Sequence, residues 1–332
     1  MIMVHEARNS RYLESRLKSM VAAVKEKRTI ILVVEPSSKC NLSCTMCDLH
    51  SGRMKDVEQY KGVMSIETFQ RTIDEFASQP FKLKELQYHG NGEPLLNKEL
   101  SNFIAYAKKK NVADVHRVTT NGTLLVPKVL TSLVESGVDE IHISLDVIDT
   151  VRYKNLKGGN LFQKVEENID NIIELFEKDT PPFKFSIKCV QPSSDEQYGF
   201  TENDLNKIIE KYRKYAENSE HFSIRIMPIV SMMDGVMGRK SAYYTGCESP
   251  FYSLFVKYNG WVTVCCADST NHLNIANIRD DSLENLLNSE KLRSIRRSHL
   301  LKDFKEIPIC LFCGARTVVD SSKCAKDLLE YI

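Results

Sequence analysis

Residues 30–47 read Ile30-Ile31-Leu32-Val33-Val34-Glu35-Pro36-Ser37-Ser38-Lys39-Cys40-Asn41-Leu42-Ser43-Cys44-Thr45-Met46-Cys47. Five apolar, mostly β-branched residues have the length and composition of a buried strand. Three cysteines follow in the loop after it. A compact loop with three thiolates can ligate three irons of a cubane cluster and leave the fourth iron open to substrate or cofactor. A zinc ion with His50 as fourth ligand is the alternative that this spacing leaves open.

Strand-like runs recur at 83–89, 114–119, 140–145, 183–190 and 222–228. Helix-period segments lie between them at 65–77, 98–109, 128–135, 162–176 and 202–215. Six strands alternating with helices predict βα units and a parallel sheet. Six units do not close an eight-stranded barrel, so the fold class expected is α/β, a partial (β/α)6 TIM-like barrel. Its functional residues belong at the carboxyl ends of the strands. An amphipathic leading helix occupies 1–28, the barrel 29–230 and a second domain 231–332. In that second domain, 231–246 reads as a connecting segment. Strand-like runs at 252–256 and 261–265 meet through Asn259-Gly260, a hairpin signal. A helix over 282–297 and a Cys-x2-Cys at Cys310 complete a small α+β unit.

Composition sets the outer bounds. The chain has 332 residues, 42% hydrophobic and 27% charged, with 45 Lys+Arg against 44 Asp+Glu. That is a globular composition. A formal charge of +1 gives no electrostatic pull toward nucleic acid or an anionic membrane. No apolar run approaches the ~20 residues of a membrane helix. The amino terminus is charged within a few residues and lacks a signal-peptide apolar stretch, so a cytoplasmic location is expected. There, the ten cysteines are kept reduced and are not a disulfide framework. Nine fall into two groups, Cys40, Cys44 and Cys47 near the start and six from Cys247 on, which read as two metal sites, and only Cys189 lies between.

Cys-x3-Cys-x2-Cys after the first strand of a six-fold βα chain resembles the radical SAM superfamily. The resemblance implies that the three cysteines hold a [4Fe–4S] cluster. Its open iron would chelate the amino and carboxylate groups of S-adenosylmethionine (SAM), whose reductive cleavage yields a 5′-deoxyadenosyl radical. Gly90-Asn91-Gly92-Glu93-Pro94, at the end of the second strand, is similar to the family's GGEP element, which receives the methionine ammonium. Glycine there lets the ligand approach the backbone closely. Thr119-Thr120-Asn121-Gly122 and Ser144-Leu145-Asp146, at the next two strand ends, resemble the elements near the SAM ribose and carboxylate. Met46 would cover the adenine. Where related sequences carry an Arg for the SAM carboxylate, this chain has Lys157, with Arg152 nearby as the other candidate.

Cys247-x12-Gly260-x4-Cys265, followed by Cys310-x2-Cys313, resembles the SPASM/Twitch extension of one radical SAM branch. The cysteines are too few for two auxiliary clusters. The resemblance implies one auxiliary [4Fe–4S] cluster ligated by Cys247, Cys265, Cys310 and Cys313, with a structural zinc ribbon as the alternative. Cys266 neighbours Cys265 and, if both lie on a strand, faces the opposite way; it is the other candidate for that position. Cys324 is expected to be a free thiol.

For the substrate, Lys188 and Cys189 on the fifth strand and Arg225 on the sixth are the candidate catalytic residues. Alternation puts Lys188 toward the cavity and Cys189 toward the helices. A cavity cysteine would donate hydrogen and make an epimerase; a buried one is a small core residue. The resemblance in architecture to alcohol-oxidising enzymes of the 2-deoxy-scyllo-inosamine dehydrogenase type implies oxidation of a carbinol carbon in a sugar, aminocyclitol or similar metabolite. It also implies a flavodoxin- or ferredoxin-type reductant. Peptide or glycoside modification is the enzymatic alternative, and a non-catalytic metal scaffold the other class.

Overall fold

The structure is a computed structural model that describes residues 2–4, 10–54, 56–178, 180–191, 199–227, 245–269, 271–313 and 320–332. The expected connecting segment falls largely outside these residues, and so does the boundary at 230.

All six expected barrel strands are present: β2 (Ile31–Val34), β3 (Leu83–Tyr88), β4 (Ala113–Thr120), β5 (Glu140–Ser144), β6 (Lys184–Val190) and β7 (Phe222–Met227). They pair in parallel in that order. Between them run α2 (Ile66–Ala77), α3 (Leu100–Lys110), α4 (Pro127–Glu135), α5 (Thr150–Lys157), α6 (Phe162–Lys178) and α7 (Glu202–Asn218). Helix starts follow local chemistry. Ser65 accepts the Thr68 amide at the head of α2, and Thr201 with Asp204 forms a capping box on α7.

The strands alternate sharply. Leu86, Val118, Ile141, Ile143, Phe185, Ile187, Phe222 and Ile224 are fully buried or nearly so in the core against the helices. The opposite face carries Glu85, Gln87, Arg117, Thr119, Glu140, His142, Ser144, Ser186, Lys188, Ser223 and Arg225. A parallel sheet covered on both faces usually reads as continuous apolar runs. Here the period-two polarity marks an inner face built around a polar cavity.

The edges of the sheet depart from expectation. A short strand β1 (Ile2–Val4), absent from the sequence reading, pairs in parallel with β7. At the other edge, β8 (Ser253–Val256) pairs in parallel with β2, and β9 (Trp261–Thr263) and β10 (Asn274–Asn277) continue antiparallel. The second domain is therefore an extension of the barrel sheet, in the order β1-β7-β6-β5-β4-β3-β2-β8-β9-β10. The hairpin at Asn259-Gly260 is present, with Gly260 at φ 86°. The helix expected over 282–297 is two helices, α8 (Leu283–Leu287) and α9 (Glu290–Leu301), because Ser282 and Ser289 each accept an amide and start a helix of their own.

The leading helix α1 (Ser10–Lys25) packs on the second domain. Met20 and Val24 share a small core with Phe251, Leu300, Cys324 and Leu328, and Arg16 pairs with Glu248 at 2.9 Å. Cys324 is a buried thiol of that core.

Candidate active site

The strand ends of the barrel and one turn of the second domain enclose a cavity of about 370 Å³. Cys40, Cys44 and Cys47 line it, with Met46, Gly92, Glu93, Asn121, Ser144, Asp146, Lys157, Lys188 and Cys189. Cys266 and Ala267 close the wall from the second domain.

The cysteine loop is held from three sides. The Ser43 and Thr45 amides donate to the carbonyls of Lys157 and Leu156 at the end of α5, at 3.0 and 2.9 Å. Gly158 caps that helix at φ 74°, and a Cβ there would strike the Ser43 hydroxyl. Asn41 donates to Thr123 Oγ1 at 2.8 Å. Asn121 Nδ2 donates to Asn41 Oδ1 at 2.9 Å and lies 3.9 Å from Cys40 Sγ, so it is an amide partner for that sulfur. At the base, the Glu93 amide donates to the Lys39 carbonyl at 2.8 Å. A Cβ on Gly92 would strike that same carbonyl, so the close approach requires glycine.

Glu93 is 1% exposed. Its carboxylate accepts Thr120 Oγ1 at 2.6 Å and the amides of Asn121 and Leu95 at 2.7 and 3.1 Å. It ties the GNGEP turn to the end of β4. Burial raises its pKa to about 7 against the pull of those bonds. A carboxylate has about four lone-pair sites. Three are used, and one remains at the cavity wall. Pro94 starts the turn after it and does not line the cavity.

At the end of β5, Asp146 and Lys157 form an ion pair and are 4% and 2% exposed. Burial works against the Lys157 ammonium, but Asp146 and the Cys44 sulfur outweigh it and raise its pKa. Asp146 also accepts the Val190 amide at 2.7 Å. Arg152 points elsewhere. Its guanidinium grips Asp204 at 2.5 and 2.7 Å and the Gly199 carbonyl at 2.7 Å, and it is not part of the cavity wall. Of the two cations expected near the SAM carboxylate, Lys157 lines the cavity and Arg152 does not.

The first thiols fit a multi-iron cluster better than zinc. Burial, aided by their mutual repulsion, raises Cys40 to about 12 and Cys47 to about 11. Such thiols become thiolates only beside strong positive charge, which a metal centre supplies. His50 Nε2 lies 2.9 Å from the Ser38 carbonyl. The hydrogen that this bond places on Nε2 leaves only Nδ1 for a metal. Among the described residues no three Cys, His, Asp or Glu side chains are grouped to grip one ion. A single zinc would draw its sulfurs to about 3.8 Å of one another.

In the second domain, Cys247, Cys265, Cys310 and Cys313 lie near enough to feel one another's fields. Burial comes first in raising the pKa of Cys247 and Cys265; the fields of Cys313 and Cys310 add to it at Cys247 against the Ser249 amide, and those of Cys266, Cys313, Cys247 and Cys310 add to it at Cys265. The Cys247 amide donates to His299 Nδ1 at 3.0 Å. Lys257 Nζ donates to the Asp268 carbonyl at 2.5 Å, while Asp268 accepts Thr263 Oγ1 and the amides of His272 and Leu273. These bonds fix the turn that carries Cys265 and Cys266. β9 ends at Thr263, so the two cysteines sit on a turn and not on a strand. Cys265 packs inward, whereas Cys266 is exposed at the cavity.

A radical SAM superfamily model matches residues 34–184, and the SPASM model, an iron-sulfur cluster-binding domain, matches 247–314. This is a radical SAM enzyme with a SPASM domain. Its cofactors are SAM, a [4Fe–4S] cluster and an auxiliary cluster in the SPASM domain. Among curated relatives is a probable GTP 3',8-cyclase of Methanococcus maripaludis (strain S2), 33% identical over 148 residues. That match covers 45% of this chain and 46% of the relative, so it spans about half of that protein's length. The probable GTP 3',8-cyclase of strain C7 is 26% identical over 311 residues, covering 86% of this chain and 97% of the relative. Among solved structures, BtrN in complex with AdoMet and 2-DOIA matches with a TM-score of 0.58 at 17% identity, covering 86% of this chain and 93% of that one. Native anSMEcpe with bound AdoMet matches with a TM-score of 0.58 at 19% identity, covering 91% and 96%. At these identities the structural likeness shows the fold. Among the described residues no helix is long and apolar enough to cross a membrane.

On β6, Cys189 is 2% exposed and belongs to the core face with Phe185 and Ile187, and it also lines the cavity. Lys188 faces inward. Arg225 is its register partner on β7 and donates to Ser186 Oγ at 3.2 Å. Sequence reasoning did not place Cys266 and Ala267 in the wall. The adjacent cysteine pair was their signal, since one member of such a pair is turned away from its partner's neighbours.

Proposed function

We propose that this enzyme oxidises a carbinol carbon of a small polar metabolite by two electrons. One observation carries the reading: the three-cysteine loop and the auxiliary-cluster turn, through Cys266-Ala267, wall the same cavity. Substrate bound between them touches both halves of the chemistry. When bound, SAM and its cluster supply a carbon radical that takes one hydrogen atom, and the auxiliary cluster supplies an acceptor for the electron left on the substrate as the hydroxyl proton departs.

The chain's own residues set the stage. In this reading Cys40, Cys44 and Cys47 hold the first cluster, and Cys247, Cys265, Cys310 and Cys313 the second. Gly92 and the free lone pair of Glu93 receive the methionine ammonium. Met46 covers the adenine, and Lys157 meets the SAM carboxylate with the N–H groups that Asp146 leaves over. Asn121, Ser144 and Asp146 complete the SAM wall. Arg152 has no part in it and fastens α5 to Asp204. Cys189, turned to the core, is no hydrogen donor.

A second reading has its own support: the match to a GTP 3',8-cyclase runs along nearly the whole chain. Product mass separates the two. Reduced holoenzyme with SAM is given GTP in one arm and a fractionated metabolite extract in the other. Oxidation gives a product lighter by two hydrogens and no turnover of GTP. A GTP-derived product of unchanged mass, as ring closure gives, would replace the oxidation reading.

A further inference from the structure

The inner face of the sheet carries more positive charge than its carboxylates neutralise. Arg117 engages both acids there, Glu140 at 2.7 Å and Glu85 at 2.8 Å. Asp146 is taken by Lys157. His89 and His142 add no charge near neutral pH, since burial first and the nearby cations next depress both to about 3. This leaves Lys188 and Arg225. They are register partners on adjacent parallel strands, and the 2.8 Å contact of Ser186 Oγ with Ser223 Oγ, two residues earlier, fixes the shared face. Among the described residues no carboxylate lies within ion-pair distance of either. Burial lowers the pKa of both; the fields of Arg117 and then Arg225 add to the fall at Lys188, and at Arg225 the field of Glu140 opposes it while that of Arg117 adds to it. Two like charges side by side, largely out of water and without an acid, are costly unless an anion joins them.

Lys188 lines the cavity, and Arg225 stands beside it in register on the neighbouring strand. Lys188 feels the field of Cys266 in the second-domain wall, whereas Lys157 feels that of Cys44 in the cysteine loop. The cation suited to the SAM carboxylate has its acid in Asp146, whereas Lys188 and Arg225 have none within ion-pair distance among the described residues.

We propose that the substrate carries an anionic group, a carboxylate or a phosphate ester, that lodges against Lys188 and Arg225 and turns its reacting carbon toward the cysteine loop. This rests on the reading of the cavity as the substrate site and narrows the substrate to anionic metabolites. Lys188 serves as a point charge at the group, and Arg225 offers its planar fork.

The test uses the reconstituted holoenzyme, anaerobic, saturated with SAM and held at constant ionic strength. Inorganic phosphate and acetate are titrated by calorimetry. One of them is expected to bind saturably, phosphate pointing to a phosphate ester and acetate to a carboxylate. Its affinity is expected to fall about tenfold or more in Lys188→Met and in Arg225→Met, and to be largely kept in Lys188→Arg and Arg225→Lys. The conservative variants keep the test decisive if a methionine variant fails to fold, as cluster absorbance and circular dichroism report. Absence of saturable binding, equal affinity in wild type and both methionine variants, or binding only when SAM is left out would overturn the proposal. The last outcome would assign the cations to the cofactor. Binding is read without turnover. Its failure thus leaves the oxidation reading in place, and an enzyme that binds the anion but removes no hydrogens loses only that reading.

Discussion

Replacing Lys157 by Met removes one half of a buried ion pair at the point where α5 supports the cysteine loop. Asp146, 4% exposed, would keep only the 2.7 Å bond from the Val190 amide. Breaking a buried pair by deleting one partner costs about 3–5 kcal/mol, because a charge is left uncompensated. The surviving amide bond puts the expected loss at the low end, about 3 kcal/mol. At roughly 2.1 cal/mol/K per residue, 332 residues give an unfolding entropy near 0.7 kcal/mol/K. The melting temperature then falls by about 4 °C. Lys157→Met with Asp146→Asn removes both charges and is expected to recover at least half of that loss. The assay is anaerobic scanning calorimetry of the holoenzyme for wild type, both single variants and the double, read as a double-mutant cycle. A Lys157→Met protein melting within 1 °C of wild type, or a double variant less stable than either single one, would refute the reasoning.

Three further outcomes follow from the same geometry. Gly92→Ala drives a Cβ into the Lys39 carbonyl, and the affinity for SAM, measured by calorimetry, is expected to fall at least tenfold. His116 is fully buried with Nδ1 3.0 Å from the Tyr88 hydroxyl, and burial lowers its pKa from about 6.5 to about 4. The neutral ring's contribution is complete above pH ~6.5 and is lost as pH falls toward 4, at about 1.4 kcal/mol per pH unit. His116→Gln is expected to flatten the decline in melting temperature between pH 6.5 and 5, and an unchanged slope would count against the assignment. Cys189→Ala, truncating a core-facing thiol, is expected to retain most turnover. Loss of product with hydrogen abstraction intact would identify it as a hydrogen donor instead.

What was legible in the sequence was local. The Cys40–Cys47 spacing, GNGEP, TTNG and SLD each sit within a few residues of a strand end. A strand's two-residue period is written in the chain itself, so Lys188 inward and Cys189 outward followed from Phe183 to Val190 alone. What the sequence does not carry is contact between partners far apart in it. β8 joins β2, α1 packs on Phe251 and Leu300, and the Ser43 amide reaches the Lys157 carbonyl. Arg152 looked available for SAM because Asp204, which holds it, lies 52 residues on. The sequence favours a single helix over 282–297 because Ser289, a good cap, is also tolerated inside a helix. Cys266 was argued from strand alternation, and it faces the cavity by way of a turn.

The account holds that two cysteine groups serve one cavity with separate tasks, and the yield of 5′-deoxyadenosine tests this most directly. Anaerobically reconstituted, reduced enzyme is given SAM in three forms: wild type, the Cys40/Cys44/Cys47→Ala triple variant, and the Cys310/Cys313→Ala double variant. The account predicts 5′-deoxyadenosine from wild type, none from the triple variant, and a reduced but measurable amount without oxidised product from the double variant. Continued reductive cleavage by the triple variant would contradict it.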